Sequence, residues 1–280
     1  MNNVFIAGAG TMGLGIAEVF ASKGFSVTAY DLTDQLLKKA ADRLDKSLSR
    51  RLEKGKMNAD EKEKLLSCVK FTADINRAAS ADIVIEAAAE SIEVKQDIFR
   101  RLSGICKKDT VFATNTSSIS VTLIASVVSD PSKFVGMHFF NPPAAMQLVE
   151  VIRGVKTSDE TFGTVFELSK QIGKTPVEVQ EAPGFVVNRL LNPMINEAVA
   201  LLAEGVASAE SIDTAMKLGA NHPMGPLALG DLIGLDVVLA IMDTLFDETK
   251  DPKYRAHPLL RKMVRAGRLG RKTGRGFFEY

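Results

Sequence analysis

A glycine-rich turn between two apolar strands constrains the fold of this chain more than any other feature. Residues 4–7 form a short apolar run, and GAGTMG follows it directly. Residues 11–23 then carry apolar side chains at helical spacing, and residues 25–30 form a second apolar run. This order of strand, glycine turn, helix and strand predicts the βαβ unit of a parallel sheet.

The spacing of the glycines predicts a dinucleotide site. Gly8 allows a tight turn, Gly10 lets the backbone approach a pyrophosphate, and Gly13 lets the helix pack closely on the sheet. Backbone N–H groups at the helix start, around Thr11 and Met12, would donate to phosphate oxygens. The alternative is a glycine turn with a purely structural role. We favour cofactor binding because both flanking elements and an acidic residue are in place.

That acidic residue is Asp31, which ends the second predicted strand. A carboxylate at this position hydrogen-bonds the ribose 2′-hydroxyl of NAD and repels the 2′-phosphate of NADP. The sequence therefore predicts NAD as the cofactor and disfavours NADP.

Alternating strands and helices continue to about residue 179, where the pattern changes. Residues 33–67 interrupt the alternation with a long, strongly charged helical hairpin, most of whose charges we interpret as solvated. After the Pro183-Gly184 break only helical patterns follow. We predict an α/β fold with a Rossmann-like, doubly wound sheet in residues 1–184 and an all-α domain in residues 185–280. Strands are predicted at 83–86, 110–114, 134–137, 148–152 and 176–179, and the later helices at 185–204, 211–218, 228–244 and 259–266.

A histidine and a glutamate in neighbouring apolar runs suggest acid/base chemistry. His138 ends one run and Glu150 lies inside the next. A buried carboxylate needs a partner, and a carboxylate beside an imidazole stabilises its charged form. Such a pair suits a proton donor or acceptor near neutral pH. The alternative is a histidine that is merely satisfied at a strand end.

Several polar residues follow predicted strands, at the edge where α/β sheets bind ligands. Asn115 and Ser117 follow one strand, although an N-cap role would also explain the run 115–118. Glu86, Glu90 and Lys95 surround the end of another strand. Asn188 lies among apolar residues just past the domain break, where it is either a buried structural amide or part of a cleft.

Composition excludes several classes of protein. A net charge of +1 argues against nucleic-acid binding through bulk charge. Neither a targeting segment nor a membrane-spanning run is evident, and Cys68 and Cys106 form no metal or disulfide motif, so we expect a cytoplasmic protein with reduced thiols. His222 and His257 each precede a proline, which predicts capping or turn roles, and no histidine pair has metal-ligand spacing.

The motifs together resemble the L-3-hydroxyacyl-CoA dehydrogenase family, most closely its bacterial short-chain 3-hydroxybutyryl-CoA branch. The resemblance covers the whole chain and includes GAGTMG, TNTSSIS, GMHFFNPP, LVEVIRG, APGFVVNRLL, DTAMKLGANHPMGPL and GRKTGRGFFEY. The order and spacing of these motifs are more specific than the glycine fingerprint alone.

The resemblance implies a role for each candidate residue. His138 would be the general acid/base with Glu150 as its partner, and Ser117 and Asn188 would hydrogen-bond the substrate. The inserted hairpin would bind coenzyme A, with Arg50 and Lys54 near its phosphates. The family also implies a homodimer, or a larger homo-oligomer, formed through the C-terminal domain. The implied cofactor contacts are Gly8, Gly10, Thr11, Met12, Gly13, Asp31, Glu90, Lys95, Asn115, Ser117, Asn141 and Lys272.

Two other functions fit the same pattern. One is a dehydrogenase of a small hydroxyacid without coenzyme A, similar to gulonate 3-dehydrogenase, and the other is a dinucleotide-binding protein without catalysis. Ala144, Ala145 and Gln147 depart from the family pattern, in which bulkier residues and a lysine are common. We therefore expect the acyl pocket or its loop to differ in shape.

Overall fold

The computed structural model describes residues 1–280, which divide into two compact units, Met1–Glu181 and Ala182–Tyr280. The first unit is built on one eight-stranded sheet. Its strands are β1 (Asn3–Ala7), β2 (Ser26–Tyr30), β3 (Val69–Thr72), β4 (Ile83–Glu86), β5 (Val111–Thr114), β6 (Phe134–Phe139), β7 (Leu148–Arg153) and β8 (Thr175–Gln180).

The sheet has the strand order β3-β2-β1-β4-β5-β6-β7-β8. Strands β1 to β6 are parallel, β7 is antiparallel to β6, and β8 is parallel to β7. The order reverses between β1 and β4, and ligands of such sheets bind beyond the carboxyl ends of the strands at this point. The predicted Rossmann-like sheet is therefore confirmed, and its switch point lies beside the glycine turn.

The helices of this unit cover the sheet, and polar caps mark the starts of all of them except the first, which begins after Gly10. Thr33 accepts a hydrogen bond from Leu36 N at the start of α2, and Asn58 forms a reciprocal capping box with Glu61 at the start of α3. The predicted inserted hairpin therefore consists of α2 and α3. The helices are α1 (Thr11–Ala21), α2 (Asp34–Glu53), α3 (Ala59–Ser67), α4 (Ile92–Ile105), α5 (Val121–Ala125) and α6 (Asp159–Gln171).

Strand β3 was not predicted. It is only four residues long, and the exposed Lys70 interrupts its apolar character. Val27 of β2 pairs with Val69 of β3, so pairing with the neighbouring strand defines this edge element. β3 lies at the edge of the sheet, with a neighbouring strand on one side only. Its four residues are too few to show a clear periodic pattern.

The second unit is helical, as predicted, but one predicted helix is wrong. The segment 228–244 is two helices, because Gly234 has a φ of +104° and interrupts the helical path. Gly234 occupies a backbone region that residues with a side chain rarely adopt. The helices are α7 (Val187–Ala203), α8 (Ala209–Gly219), α9 (Pro226–Ile233), α10 (Leu235–Thr249) and α11 (Pro258–Arg265).

The core of the second unit contains Ile195, Leu235, Val238 and Leu260, all fully buried. His257 caps α11, because its ring accepts a hydrogen bond from Leu259 N, and the predicted capping role is confirmed. None of the helices in the structure has the length and apolar character needed to cross a membrane.

Candidate active site

The glycine turn leaves room for a ligand beside the backbone. Gly8 has a φ of +108°, and a Cβ atom there would lie 2.7 Å from the carbonyl oxygen of Ala87. A Cβ at Gly13 would overlap the carbonyl oxygen of Gly8, whereas a Cβ at Gly10 would meet no heavy atom within 4 Å. Gly8 and Gly13 therefore serve close packing, and Gly10 leaves an open approach to the backbone at the start of α1.

Asp31 holds the turn from the neighbouring strand. Its Oδ2 accepts a hydrogen bond of 3.0 Å from Ala9 N, and its Oδ1 accepts one of 2.8 Å from Leu32 N. The carboxylate thus lies beside the turn at the end of β2. The turn and the acidic residue that the sequence indicated are in contact, as a dinucleotide site requires.

A fully buried ion pair lies at the end of β4. The ammonium group of Lys95 lies 2.8 Å and 3.1 Å from the two carboxylate oxygens of Glu86. Thr114 donates to Glu86 Oε2 at 2.7 Å, and Glu90 Oε2 lies 3.1 Å from the same ammonium group. Lys95 therefore bridges two carboxylates, and the pair is stabilised by close contact and by added hydrogen bonds.

Glu90 binds the polar segment that follows β5. Its Oε1 accepts hydrogen bonds from Thr116 Oγ1 at 2.7 Å, from Ser117 N at 2.8 Å and from Ser117 Oγ at 3.1 Å. Burial tends to raise the pKa of Glu90, but the Lys95 charge and these hydrogen bonds outweigh it, so the pKa is lowered. Glu90 is therefore kept ionised and fixes the backbone around Ser117.

The alternative N-cap role for the segment 115–118 is wrong. Helix α5 is capped by Ser120, whose hydroxyl accepts a hydrogen bond from Leu123 N. Asn115 instead accepts a hydrogen bond of 2.8 Å from Phe139 N, the residue after His138. This contact ties the end of β5 to the strand that carries the histidine.

His138 and Glu150 form a close, buried pair. The Nδ1 atom of His138 lies 2.8 Å from Oε2 of Glu150. The two residues stand opposite each other in the antiparallel ladder of β6 and β7, and they are 5% and 1% exposed. The ring of Phe140 lies 4.6 Å from the imidazole, centroid to centroid. The carboxylate thus fixes the ring orientation and stabilises an imidazolium.

The inserted hairpin carries a basic cleft. A cavity of about 410 Å³ contains the predicted Arg50 and Lys54. Three residues of its lining, Arg43, Ser47 and Arg51, also line an adjoining cavity of about 480 Å³ that reaches Asn141. The basic cleft is lined by Arg43, Lys46, Ser47, Arg50, Arg51, Lys54 and Lys56.

Two candidate residues belong to the second unit. Asn188 lies in the first turn of α7, where its backbone carbonyl accepts a hydrogen bond of 3.1 Å from Asn192 Nδ2. Lys272 lies in a short 3₁₀ helix and donates to Asp236 Oδ2 at 2.7 Å. Each residue is held by a neighbour within its own unit.

Family models match nearly the whole chain. The model described as "3-hydroxyacyl-CoA dehydrogenase, NAD binding domain" matches residues 3–182, and that described as "3-hydroxyacyl-CoA dehydrogenase, C-terminal domain" matches residues 184–280. The chain belongs to the 3-hydroxyacyl-CoA dehydrogenase family. The resemblance found in the sequence is therefore confirmed.

Similar proteins from several organisms match this 3-hydroxyacyl-CoA dehydrogenase chain along its length. The 3-hydroxybutyryl-CoA dehydrogenase of Clostridioides difficile is 57% identical over 275 residues, which cover 98% of each chain. The human mitochondrial hydroxyacyl-coenzyme A dehydrogenase is 41% identical, with 100% of this chain and 91% of the relative covered. The crystal structure of (S)-3-hydroxybutyryl-CoA dehydrogenase PaaH1 from Ralstonia eutropha superposes with a TM-score of 0.96 at 50% identity, covering 100% of this chain and 99% of that one.

The sequence pattern missed some residues that lie near the candidate site residues of this 3-hydroxyacyl-CoA dehydrogenase. It noted Glu86 at the end of a strand but gave no reason to expect its ion pair with Lys95. It gave no sign of Lys174, which is buried directly before β8. Arg43 and Arg51 were visible only as part of a dense run of basic residues. Arg43, Ser47 and Arg51 follow one another at intervals of four residues. This helical spacing is the signal that would have placed them on one face of α2.

Proposed function

We propose that the protein is an NAD-dependent 3-hydroxybutyryl-CoA dehydrogenase, which interconverts 3-hydroxybutyryl-CoA and acetoacetyl-CoA. The proposal is carried by 57% identity, over 98% of both chains, with a relative named for this activity. The contact between His138 and Glu150 supports it, because the reaction needs a proton acceptor and donor beside the hydride carrier.

The residues around the glycine turn fit a dinucleotide. The open backbone at Gly10 and the N–H groups at the start of α1 suit a pyrophosphate, and Asp31 suits a ribose 2′-hydroxyl. Bound NAD supplies a nicotinamide that accepts or donates hydride. Glu90, Lys95, Asn115, Asn141 and Lys272 are proposed as further cofactor contacts, by analogy with the family.

His138 is proposed as the general acid/base. Because Nδ1 faces Glu150, proton exchange with the substrate is assigned to Nε2. In oxidation the imidazole takes the proton of the C3 hydroxyl, and the resulting imidazolium is stabilised by the Glu150 carboxylate. In reduction the imidazolium returns that proton to the C3 oxygen.

Ser117 and Asn188 are proposed to hydrogen-bond the substrate near C3. The hydrogen bond from Ser117 N to Glu90 fixes the backbone of the serine in advance. The Ser117 hydroxyl donates its single hydrogen to Glu90 in this structure and must turn that hydrogen to the substrate oxygen when the substrate binds. A hydroxyl or amide fixed in advance stabilises developing charge on oxygen without paying for reorganisation during the reaction.

The basic cleft on α2 is proposed to bind the phosphates of coenzyme A. Arg50 and Lys54 lie within it, and most of its side chains are exposed. Arg51 is partly neutralised, because its guanidinium lies 2.6 Å from Glu18 Oε1. Several cations around one cavity suit a polyphosphate, for which arginine gives bidentate contacts.

The second unit is proposed to mediate a homodimer. Apolar side chains remain exposed on its surface, among them Leu190 of α7 at 71% and Leu218 of α8 at 82%. Exposed apolar side chains of this size can be covered by a second copy of the chain in a dimer. Light scattering on the purified protein tests this proposal, and a monomer at micromolar concentration would contradict it.

A cytoplasmic location is also proposed, since Cys68 and Cys106 are both unpaired thiols.

A steady-state assay with acetoacetyl-CoA tests the proposed activity. NADH should support turnover and NADPH should support much less, because Asp31 repels a 2′-phosphate. Substrates of increasing acyl length then define the chain-length preference. Oxidation of a free hydroxyacid without any turnover of acetoacetyl-CoA would instead favour a dehydrogenase that does not use coenzyme A. NADH binding without turnover of either substrate would indicate a non-catalytic protein.

A further inference from the structure

One buried lysine contacts the loop that joins the two strands of the histidine–glutamate pair. Lys174 precedes β8 and is 8% exposed. Its ammonium group donates to the carbonyl oxygen of Pro143 at 2.6 Å and to that of Met146 at 2.8 Å. Both carbonyls belong to the loop 140–147, which begins directly after β6 and leads into β7.

No carboxylate compensates the charge of this lysine. The pKa of Lys174 is lowered, first by burial and then by repulsion from Lys23. Burying a charge without an ionic partner is costly, and an apolar side chain of similar length would avoid that cost. The hydrogen bonds of the ammonium group go to the two loop carbonyls, so we expect Lys174 to act on the position of the loop.

The opposite side of the loop is fixed by contact with α1. A Cβ atom at Gly15 would lie 2.7 Å from Cδ of Pro143, so the loop packs directly on the helix that follows the glycine turn. Thr175 N also donates to the carbonyl oxygen of Gln147 at 2.8 Å. The loop is therefore held between α1 and the residues that open β8.

The same loop forms one wall of a cleft. Pro143, Ala144 and Ala145 line the cavity of about 480 Å³, opposite Arg43 and Arg51 of α2. This cavity adjoins the basic cleft proposed for coenzyme A. A shift of the loop would change the width of this cavity, which joins the basic cleft to the loop that follows β6.

We propose that Lys174 is a positioning residue that holds the loop 140–147 against α1 and thereby sets the affinity for the acyl-CoA substrate. The inference rests on the proposed function, since it concerns the path of acyl-CoA. A loop that is already ordered binds its ligand more tightly, because no ordering cost is added on binding. Lys174 touches neither the substrate nor the histidine pair in this role.

The test compares Lys174→Met with the wild type and with Lys170→Met. Lys170 is an exposed lysine of α6, paired with Glu167 on the surface, and serves as the matched control. The KM for acetoacetyl-CoA in Lys174→Met should rise about tenfold while kcat stays within about threefold, since the loop must now be ordered on binding. Lys170→Met should match the wild type.

Calorimetry of acetoacetyl-CoA binding without NADH gives a readout apart from turnover, and the Kd should rise in parallel with the KM. Unchanged KM and Kd in a folded Lys174→Met variant would overturn the inference, and so would loss of kcat at constant KM. If the Met variant does not fold, Lys174→Gln should show a smaller rise in the same direction. A wild type that does not reduce acetoacetyl-CoA would instead contradict the proposed function.

Discussion

Nδ1 of His138 lies 2.8 Å from Oε2 of Glu150 because the two residues occupy paired positions on antiparallel strands. Side chains directly opposite each other in such a ladder point to the same face of the sheet. A register shift of one residue would send Glu150 to the other face and separate the pair. The chemistry proposed for this protein therefore depends on the register of β6 and β7.

Replacing Glu150 with Gln should shift the pH dependence of reduction. Reduction needs an imidazolium, and the carboxylate stabilises that charged form. Without it, the fall of kcat/KM with rising pH should occur at lower pH than in the wild type. Rates of acetoacetyl-CoA reduction between pH 5 and pH 9 measure this shift. An unchanged profile would show that the pair has no functional coupling, and Glu167→Gln on the exposed surface of α6 is the control.

Replacing His138 with Ala should remove most turnover and leave NADH binding intact. Loss of a general acid/base typically lowers the rate by ~10²–10⁴. The glycine turn and Asp31 are unchanged in this variant, so NADH should still bind. The increase in NADH fluorescence on addition of the protein measures this binding. His222→Ala, in the loop after α8, is the matched control. A kcat close to that of the wild type would exclude His138 as the proton donor.

Replacing Lys95 with Met should strongly destabilise the first unit. The change leaves the fully buried Glu86 carboxylate without its counter-ion, and breaking such a pair costs ~3–5 kcal/mol. Denaturant unfolding measures the loss. The surface variant Lys170→Met should change the free energy of unfolding by less than ~1 kcal/mol. The double variant Glu86→Gln/Lys95→Met should recover part of the lost free energy of unfolding. A smaller loss in Lys95→Met than in the surface control would contradict the prediction.

Replacing Asn192 with Leu should stabilise the second unit. Asn192 is fully buried in α7, and its Oδ1 has no hydrogen-bond partner. An unsatisfied buried carbonyl costs ~1–3 kcal/mol, and leucine has the same branching at Cγ without that carbonyl. The change also removes the hydrogen bond from Asn192 Nδ2 to the carbonyl oxygen of Asn188, which offsets part of the gain. We expect a gain of ~1 kcal/mol and, for a unit of this size, a rise in Tm of roughly 4–8 °C.

Asn196, one helical turn further along, provides the comparison for this change. Its side chain accepts a hydrogen bond from His257 N at 2.8 Å and donates to the carbonyl oxygen of Arg255. Asn196→Leu should therefore destabilise the unit, because the His257 N–H would lose its partner. A lower Tm for Asn192→Leu than for the wild type would contradict the prediction.

Local patterns in the sequence were enough to predict most elements of the fold. Apolar periodicity and the glycine fingerprint predicted α1 and the strands beside it, and the Pro183-Gly184 break lies next to the division between the two units. The prediction failed where the local signal was weak. Strand β3 is defined by pairing with β2, and the break between α9 and α10 depends on the φ of Gly234.

The sequence by itself determined the family, the dinucleotide turn with Asp31, and the two residues proposed for proton transfer. These features depend on residues close together in the chain or on motifs with fixed spacing. Only the tertiary structure decided that Glu86 neutralises Lys95, that Glu90 binds the segment around Ser117, and that Lys174 contacts the loop between the paired strands. Such contacts join residues from different elements. Strand order and packing determine which of these residues meet, and local sequence patterns do not contain that information.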